Sequence, residues 1–461
     1  MTSTRPGPGR PEIQRRLLSG WGRTAPTSAD VAFVRDEGEA TAALRLAGSR
    51  GIVARGLGRG YGDCAQNAGG MVVDGPSTRG LLDVDLRSGV VTARAGTSLE
   101  ELMAWFVPQG WFVPVTPGTR QVTVGGAIAA DIHGKNHHRK GSWCNHVLSL
   151  RLLDGHGQVR ELTPTGDPDL FWATAGGMGL TGIVLDATIQ MTPIESSLLK
   201  VDTDRARDLD SVMAMMEQGD DDYDYSVAWI DILAGGASMG RSILERGQFA
   251  TRDEALAGGM TDPRAYVPHR FPSMPDLFPS GLVNSTTCRA FNELWYRKAP
   301  KRRRDELRTI EGFFHPLDMV SDWNRVYGSA GFLQWQYAVP GNASEVVRTT
   351  LERLSAEKVP SFLAVLKRFG PGNDGMLSFP RAGWTLAFDT PTMPGLDRLF
   401  DELDEIVLAA GGNIYLAKDS RVRPELLPEM YPRLDEWREA RAKLDPDGRF
   451  TSDMARRLRL Y

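Results

Sequence analysis

Two glycine-dense segments carry the chemistry that can be read directly from this chain. The first is Ala54-Arg55-Gly56-Leu57-Gly58-Arg59-Gly60-Tyr61-Gly62-Asp63, followed closely by Cys64 and Asn67. The second runs from Pro117-Gly118-Thr119 through Thr123-Val124-Gly125-Gly126-Ala127 to His133-Gly134-Lys135-Asn136. Glycine lets backbone amides approach a ligand without side chains in the way. Successive free amides form a concave anion site, and nearby Arg and Lys add charge. Two such loops in one domain suit a ligand with two phosphates, such as a dinucleotide. A nicotinamide Rossmann site requires G-x-G-x-x-G between a strand and a helix, with an acidic residue about twenty positions on. Gly56-Leu57-Gly58-Arg59-Gly60 fits this only in part, because strands follow it. A third glycine turn, Gly176 to Gly182, includes Gly179.

The elements that must hold these loops follow from pattern and composition. Residues 1–18 read as a disordered arm, rich in Pro, Gly and Arg, ending in a short helix near residue 20. Val31 to Leu46 has helical spacing. Gly51 to Ala54 is a short buried strand running into the first loop, and Met71–Asp74, Leu81–Asp85 and Val90–Gly96 are successive strands. Ser98 is the expected N-cap of a helix reaching Val107, with Glu100 and Glu101 in its first turn. Val147–Leu153 and Gln158–Leu162 form a hairpin, Asp169–Ala175 a short helix, and Ile183–Met191 a strand. From about residue 197 the strands lengthen, as in Tyr225–Ile232 and Phe332–Val339, with helices between them. Residues 254–290 read as a long loop. Arg297 to Arg304 is strongly basic; a solvated face is the ordinary reading and an anionic surface the sharper one. Asn413 to Ser420 is a strand entering a loop, Leu427–Leu444 a helix, and Asp445–Phe450 a turn before a last short helix. The expected division is a 19–196 cofactor domain, a 197–410 substrate domain, and a 411–461 segment returning to the first domain.

Composition narrows the class. The 461 residues carry a net charge of -4, with 41% hydrophobic and 24% charged residues, as in a soluble globular protein of more than one domain. No basic field points to nucleic acid. Cys64, Cys144 and Cys288 are unpatterned, so neither zinc nor a redox dithiol is indicated, and no metal is expected. No signal peptide and no run of 18 apolar residues is visible. The expectation is a cytoplasmic or peripherally membrane-associated protein.

Arg55-Gly56-Leu57-Gly58-Arg59, Pro117-Gly118-Thr119 and Val124-Gly125-Gly126-Ala127-Ile128-Ala129 resemble the FAD domain of the vanillyl-alcohol oxidase / p-cresol methylhydroxylase superfamily. Within it, the chain is similar to the decaprenylphosphoryl-β-D-ribose 2-oxidase family. The matching segments include Ser19 to Pro26, His133 to His138, Glu293 to Lys298, Phe314 to Met319, Ala417 to Arg421 and Ser452 to Leu458. The resemblance runs from about residue 19 to 461. It implies an α+β, two-domain FAD-binding fold whose substrate domain is built on an antiparallel sheet. It implies FAD-dependent oxidation of a prenylphosphoryl ribose at its 2-hydroxyl, the first half of an epimerisation toward the arabinose donor of cell-wall arabinan. A separate NADH-dependent keto-reductase would complete that reaction, peripheral membrane contact is implied, and a cell-envelope location is open.

Oxidising a sugar alcohol requires a hydride acceptor and a group to take the O–H proton. Lys418 is the leading candidate. Alone it reads as a surface lysine at a strand end, but it matches the family's essential lysine and lies near Tyr415. Whether it acts as base or as cation stays open in the sequence. Tyr61 and His133 complete the expected catalytic set. The first loop carries Tyr61 and no His, so FAD is expected to be held non-covalently. Residues 54–64, Asn67, Gly118, Thr119, 123–126, 133–136, Gly179, Val184 and Tyr415 are the expected cofactor contacts. Gln334 and Gln336 share one strand face, with Trp335 on the other. With Lys135, Trp229, Leu363, Lys367, Ala387 and Lys418 they form the expected substrate set. Ala387 stands where mycobacterial members of the resembled family carry a cysteine. Met178, Phe314, Leu366 and Thr385 also depart from its pattern and are expected around the pocket. An aldonolactone- or alditol-type sugar oxidase of the same superfamily is the nearest alternative, and a non-catalytic flavin or lipid scaffold is the alternative of another class.

Overall fold

The computed structural model describes residues 9–269 and 272–461. A four-stranded sheet runs in the order Glu12–Leu18, Thr27–Phe33, Met71–Asp74, Ile52–Arg55, the last three mutually parallel. A five-stranded antiparallel sheet joins Leu81–Asp85, Val90–Arg94, Ile183–Gln190, Val147–Leu153 and Val159–Leu162. The second half builds one eight-stranded antiparallel sheet in the order Arg302–Thr309, Leu198–Ala206, Ser242–Phe249, Tyr225–Ile230, Ala364–Phe369, Gly383–Pro391, Phe332–Pro340, Asn413–Ile414. The chain is therefore α+β, with the antiparallel second half that the sequence implies.

Alternation along Phe332–Pro340 gives that sheet its two faces. Trp335, Tyr337 and Val339 enter a core shared with the helices Leu209–Gly219, Glu345–Ala356 and Leu396–Ala409. Trp335 stacks on Phe400 and donates its indole N–H to Asp404 at 2.8 Å. Each large apolar side chain buried there contributes about 1.5–3 kcal/mol. Gln334 and Gln336 face the opposite way, as their spacing requires.

Local signals place several elements as expected. Ser98 caps the helix Leu99–Phe106, its Oγ accepting from the Glu101 amide at 3.1 Å while Glu101 bonds back to the cap. Other expectations are corrected. Residues 12–18 are not an arm ending in a helix but an edge strand, paired in register from Glu12↔Phe33 to Leu18↔Thr27; residues 1–8 lie outside the described residues. Val31–Leu46 divides into the strand Thr27–Phe33 and the helix Glu37–Leu46, because Asp36 caps a new start by accepting from the Glu39 amide. The loop expected over 254–290 contains the end of the helix Arg252–Ala257 and the start of Ser285–Lys298. Leu427–Leu444 is two helices, Leu427–Met430 and Leu434–Leu444, interrupted where Pro432 cannot continue the first.

Three segments interleave next to the first glycine loop. The Tyr61 amide donates to Ala417 O at 3.0 Å, and the Gly22 amide donates to Tyr61 O at 3.0 Å. A Cβ on Gly62 would lie 2.0 Å from Asp419 O, and one on Gly20 would lie 2.1 Å from Gly62 O. Behind them Arg457 bonds both Asp63 oxygens, at 2.7 and 3.0 Å, and Asp419 at 2.9 Å. Gly62→Ala must push the Lys418 segment away from Tyr61. The expected cost is about 1–3 kcal/mol of stability, read as a lower midpoint in thermal unfolding; an unchanged midpoint would contradict this packing.

Candidate active site

A cavity of about 1280 Å³ lies between the two glycine loops and the open face of the eight-stranded sheet. A smaller one of about 110 Å³ adjoins it through shared wall residues, among them Ala54, Gly56, Thr123 and Gly126. The loops form the first wall. The amides of Leu57, Gly58, Arg59, Gly60, Gly118 and Thr119 have no acceptor among the described residues. Gly58 adopts φ +67, a left-handed conformation suited to glycine, above the Arg55 guanidinium. Arg55 itself points away, donating to Ser19 O at 2.7 Å and Ala65 O at 3.1 Å. The Arg59 guanidinium lies 3.9 Å from the Trp21 ring centroid, a cation–π contact on the same wall.

Most of the expected cofactor contacts reach this space. Ala54, Gly56–Tyr61, Cys64, Gly118, Thr119, Thr123, Gly126, His133–Lys135 and Tyr415 line the large cavity; Arg55, Gly125, Gly179 and Val184 line the small one. Five do not, and their contacts correct the expectation. Gly62 packs on Asp419, and Asp63 pairs with Arg457. Asn67 donates to Gly51 O and accepts from Arg456. Val124 is fully buried in the core, and Asn136 donates to Pro114 O.

The sheet face forms the second wall. Trp229, Val365, Ala387 and Gln336 stand in register across four neighbouring strands, with Gln334 and Lys367 alongside, and all six line the cavity. Leu363 lines it as well. Met178 and Phe314 are also wall residues, whereas Leu366 points into the helix-side core and so lies off the pocket. Thr385 accepts from Gln336 Nε2 at 3.2 Å.

The side chains that meet here are electrostatically strained. Burial lowers Lys135 to about 8, and burial with Lys135 and Lys418 nearby lowers Lys367 to about 7. Lys418 is lowered to about 8 by burial, opposed by the Asp389 carboxylate, and its Nζ lies 4.0 Å from the Tyr61 ring centroid. His133 is held well below its ordinary range by burial, Lys367, His137 and Lys418, so it is neutral. Gln336 Nε2 donates to His133 Nε2 at 2.9 Å. That leaves the proton on His133 Nδ1, a buried atom with no partner among the described residues. The Tyr61 hydroxyl accepts from Gln334 Nε2 at 3.1 Å, and Gln334 Nε2 also donates to Asp389.

The sequence reading missed Asp389. Its signal was parity: it shares a strand face with Thr385 and Ala387 and pairs in register with Gln334. It also missed Asp318, which accepts from Thr119 Oγ1 at 2.7 Å and the Arg120 amide at 2.8 Å, tying the second loop to the other half.

Comparison with known proteins agrees with this geometry. Residues 29–163 match an FAD binding domain, and residues 333–458 match a D-arabinono-1,4-lactone oxidase domain. The chain is 48% identical over 455 residues, 98% of each chain, to decaprenylphosphoryl-β-D-ribose oxidase of Mycolicibacterium smegmatis. The chain belongs to the decaprenylphosphoryl-β-D-ribose oxidase family. An uncharacterised protein of Streptomyces coelicolor is 43% identical, covering 79% of this chain and 100% of its own length. L-gulono-1,4-lactone dehydrogenase of Mycobacterium tuberculosis is 22% identical over 441 residues, 93% of this chain and 95% of its own.

The bare loop amides, the open space at Gly118 and the orphaned His133 Nδ1 fit a flavin dinucleotide. Gly118 leaves open space on the cavity side, Gly56, Gly58 and Gly126 let the loops close on Thr123 and Arg55, and His133 offers one donor. The cavity holds one thiol, Cys64, which burial and the neighbouring Asp63 push up to about 11. With Ala387 in the wall and Cys64 protonated, a thiol-directed electrophile that enters this cavity is expected to leave no adduct. Intact-mass analysis tests this; a stoichiometric adduct would contradict it.

Proposed function

We propose that this protein oxidises the ribose 2-hydroxyl of decaprenylphosphoryl-β-D-ribose to the 2-keto compound, with FAD held non-covalently. The observation that carries the reading is the gathering of Lys135, Lys367 and Lys418 in one cavity opposite a wall of free amides. FAD, when bound, supplies the hydride acceptor. Lys135 and Lys367 attract the substrate phosphate, and Gln334 and Gln336 hold the sugar hydroxyls. Lys418, kept near neutrality by burial, takes the hydroxyl proton. Tyr61 fixes the Lys418 ammonium by its ring and presents its hydroxyl beside the same site. Neutral His133 donates from Nδ1 toward the cofactor. The non-covalent mode is supported by the absence of a His from residues 54–64, where Tyr61 stands.

The product ketone needs a second hydride, delivered by a separate NADH-dependent keto-reductase, for inversion at that carbon. The prenyl tail leaves past the exposed wall residues Phe291 and Trp295. On the helix Ser285–Lys298, Phe291, Leu294 and Trp295 are 43%, 69% and 44% exposed, next to the exposed Lys298, Lys301 and Arg302. An apolar stripe flanked by cations suits peripheral contact with an anionic membrane. No helix among the described residues is long and apolar enough to cross one. Leu294→Asp is expected to reduce co-sedimentation with anionic vesicles several-fold while leaving flavin reduction by a short-chain substrate intact. Equal sedimentation of the two proteins would contradict this contact.

A sugar-lactone oxidase is the second reading, favoured by the match over 333–458. Anaerobic flavin reduction separates the two. Farnesylphosphoryl ribose is expected to reduce the enzyme, and L-gulono-1,4-lactone and xylitol are not; the reverse would overturn the assignment. Lys418→Met is expected to slow that reduction by about 10²–10⁴-fold. Because the base is the neutral amine, the wild-type rate should climb with pH through about 8 and then level. A rate falling over that range would instead make Lys418 an electrostatic anchor.

A further inference from the structure

Asp389 is a carboxylate with 0% exposure on the cavity side of the strand Gly383–Pro391. One of its oxygens accepts from Gln334; the other, Oδ2, has no partner among the described residues. The Tyr327 hydroxyl is likewise buried and unpartnered, and it feels the Asp389 charge. A buried carboxylate with a spare oxygen is costly and is retained where its charge is used. The same Gln334 amide reaches the Tyr61 hydroxyl, and the Tyr61 ring carries Lys418 Nζ. Three elements thus converge: the strand pair bearing Gln334 and Asp389, the first glycine loop, and the segment after Ile414.

We propose that Asp389 is a positioning residue that sets the proton occupancy of Lys418, acting through the Gln334–Tyr61 bridge and the field of its carboxylate. This rests on the reading of Lys418 as the base. The groups facing Lys418 are Tyr61 and Cys64 from the first loop, His133 from the second, Lys367 from the sheet, and Asp389. Among them Asp389 is the only carboxylate. Burial opposes a charged Lys418, and Asp389 is the larger of the two groups that favour it, ahead of Cys64. Its own carboxyl is pushed up to about 7 by burial, with Gln334 and Lys418 opposing, so the two groups titrate over neighbouring pH.

The test is competitive acetylation of lysines across pH in the intact protein, read peptide by peptide in a mass spectrometer. In Asp389→Asn, which keeps an acceptor for Gln334, the Lys418 midpoint should fall by roughly one pH unit. The Lys135 midpoint, which neither Asp389 nor Lys418 perturbs, should stay. A merely structural role would shift both or neither, and an unmoved Lys418 midpoint overturns the proposal. Should that variant not fold, Lys418→Met gives the reciprocal measurement. The infrared band of the protonated Asp389 carboxyl should then persist to higher pH than in wild type; an unmoved band overturns the proposal equally. The labelling needs no turnover, so it stands apart from the base assignment. That assignment fails separately, if the pH limb of flavin reduction does not track the labelling midpoint.

Discussion

The structure depends on a close approach of main chain to main chain beside the first glycine loop. Residues 20–22, 60–62 and 417–419 cross at distances that leave no room for a Cβ at Gly20 or Gly62. This contact sets Lys418 over the Tyr61 ring and fixes the loop whose amides remain free. Arg457, reaching from the last helix to Asp63 and Asp419, holds the crossing from behind. A charged clamp between two backbone segments tolerates little rearrangement, so the lysine sits on a rigid frame although it lies in a loop.

The eight-stranded sheet supplies the other wall by the period of two alone. One face is closed by three helices and a dense aromatic core around Trp335 and Phe388. The other carries Gln334, Gln336, Lys367 and Glu245 and faces the loops, with Asp389 buried beside them. Burial lowers Lys135, Lys367 and Lys418 and raises Asp389, bringing all four groups toward neutrality. Site chemistry at ordinary pH therefore follows from burial, with charge pairing as the correction.

Much of this was legible from residues. The glycine spacing marked both loops, the i, i+2 pair Gln334 and Gln336 marked the sheet face, and Ser98 announced its helix. What stayed hidden depended on tertiary partners. Glu12–Leu18 is a strand only because Thr27–Phe33 lies beside it. Asn67, Asp63 and Asn136 sit within the motifs, yet their polar atoms serve neighbouring backbone or Arg457 and Arg456. Asp389 carried no motif at all; register against Gln334 is what brings it to the site.

Oxidation by this protein requires that the free amides of the two loops hold a reducible isoalloxazine next to Lys418. The most direct test is the visible absorption spectrum of the purified protein, recorded before and after acid precipitation. The expected result is a flavin spectrum that passes entirely into the supernatant and identifies as FAD. A colourless protein that takes up no FAD on incubation, or a yellow pellet retaining its flavin, would contradict it.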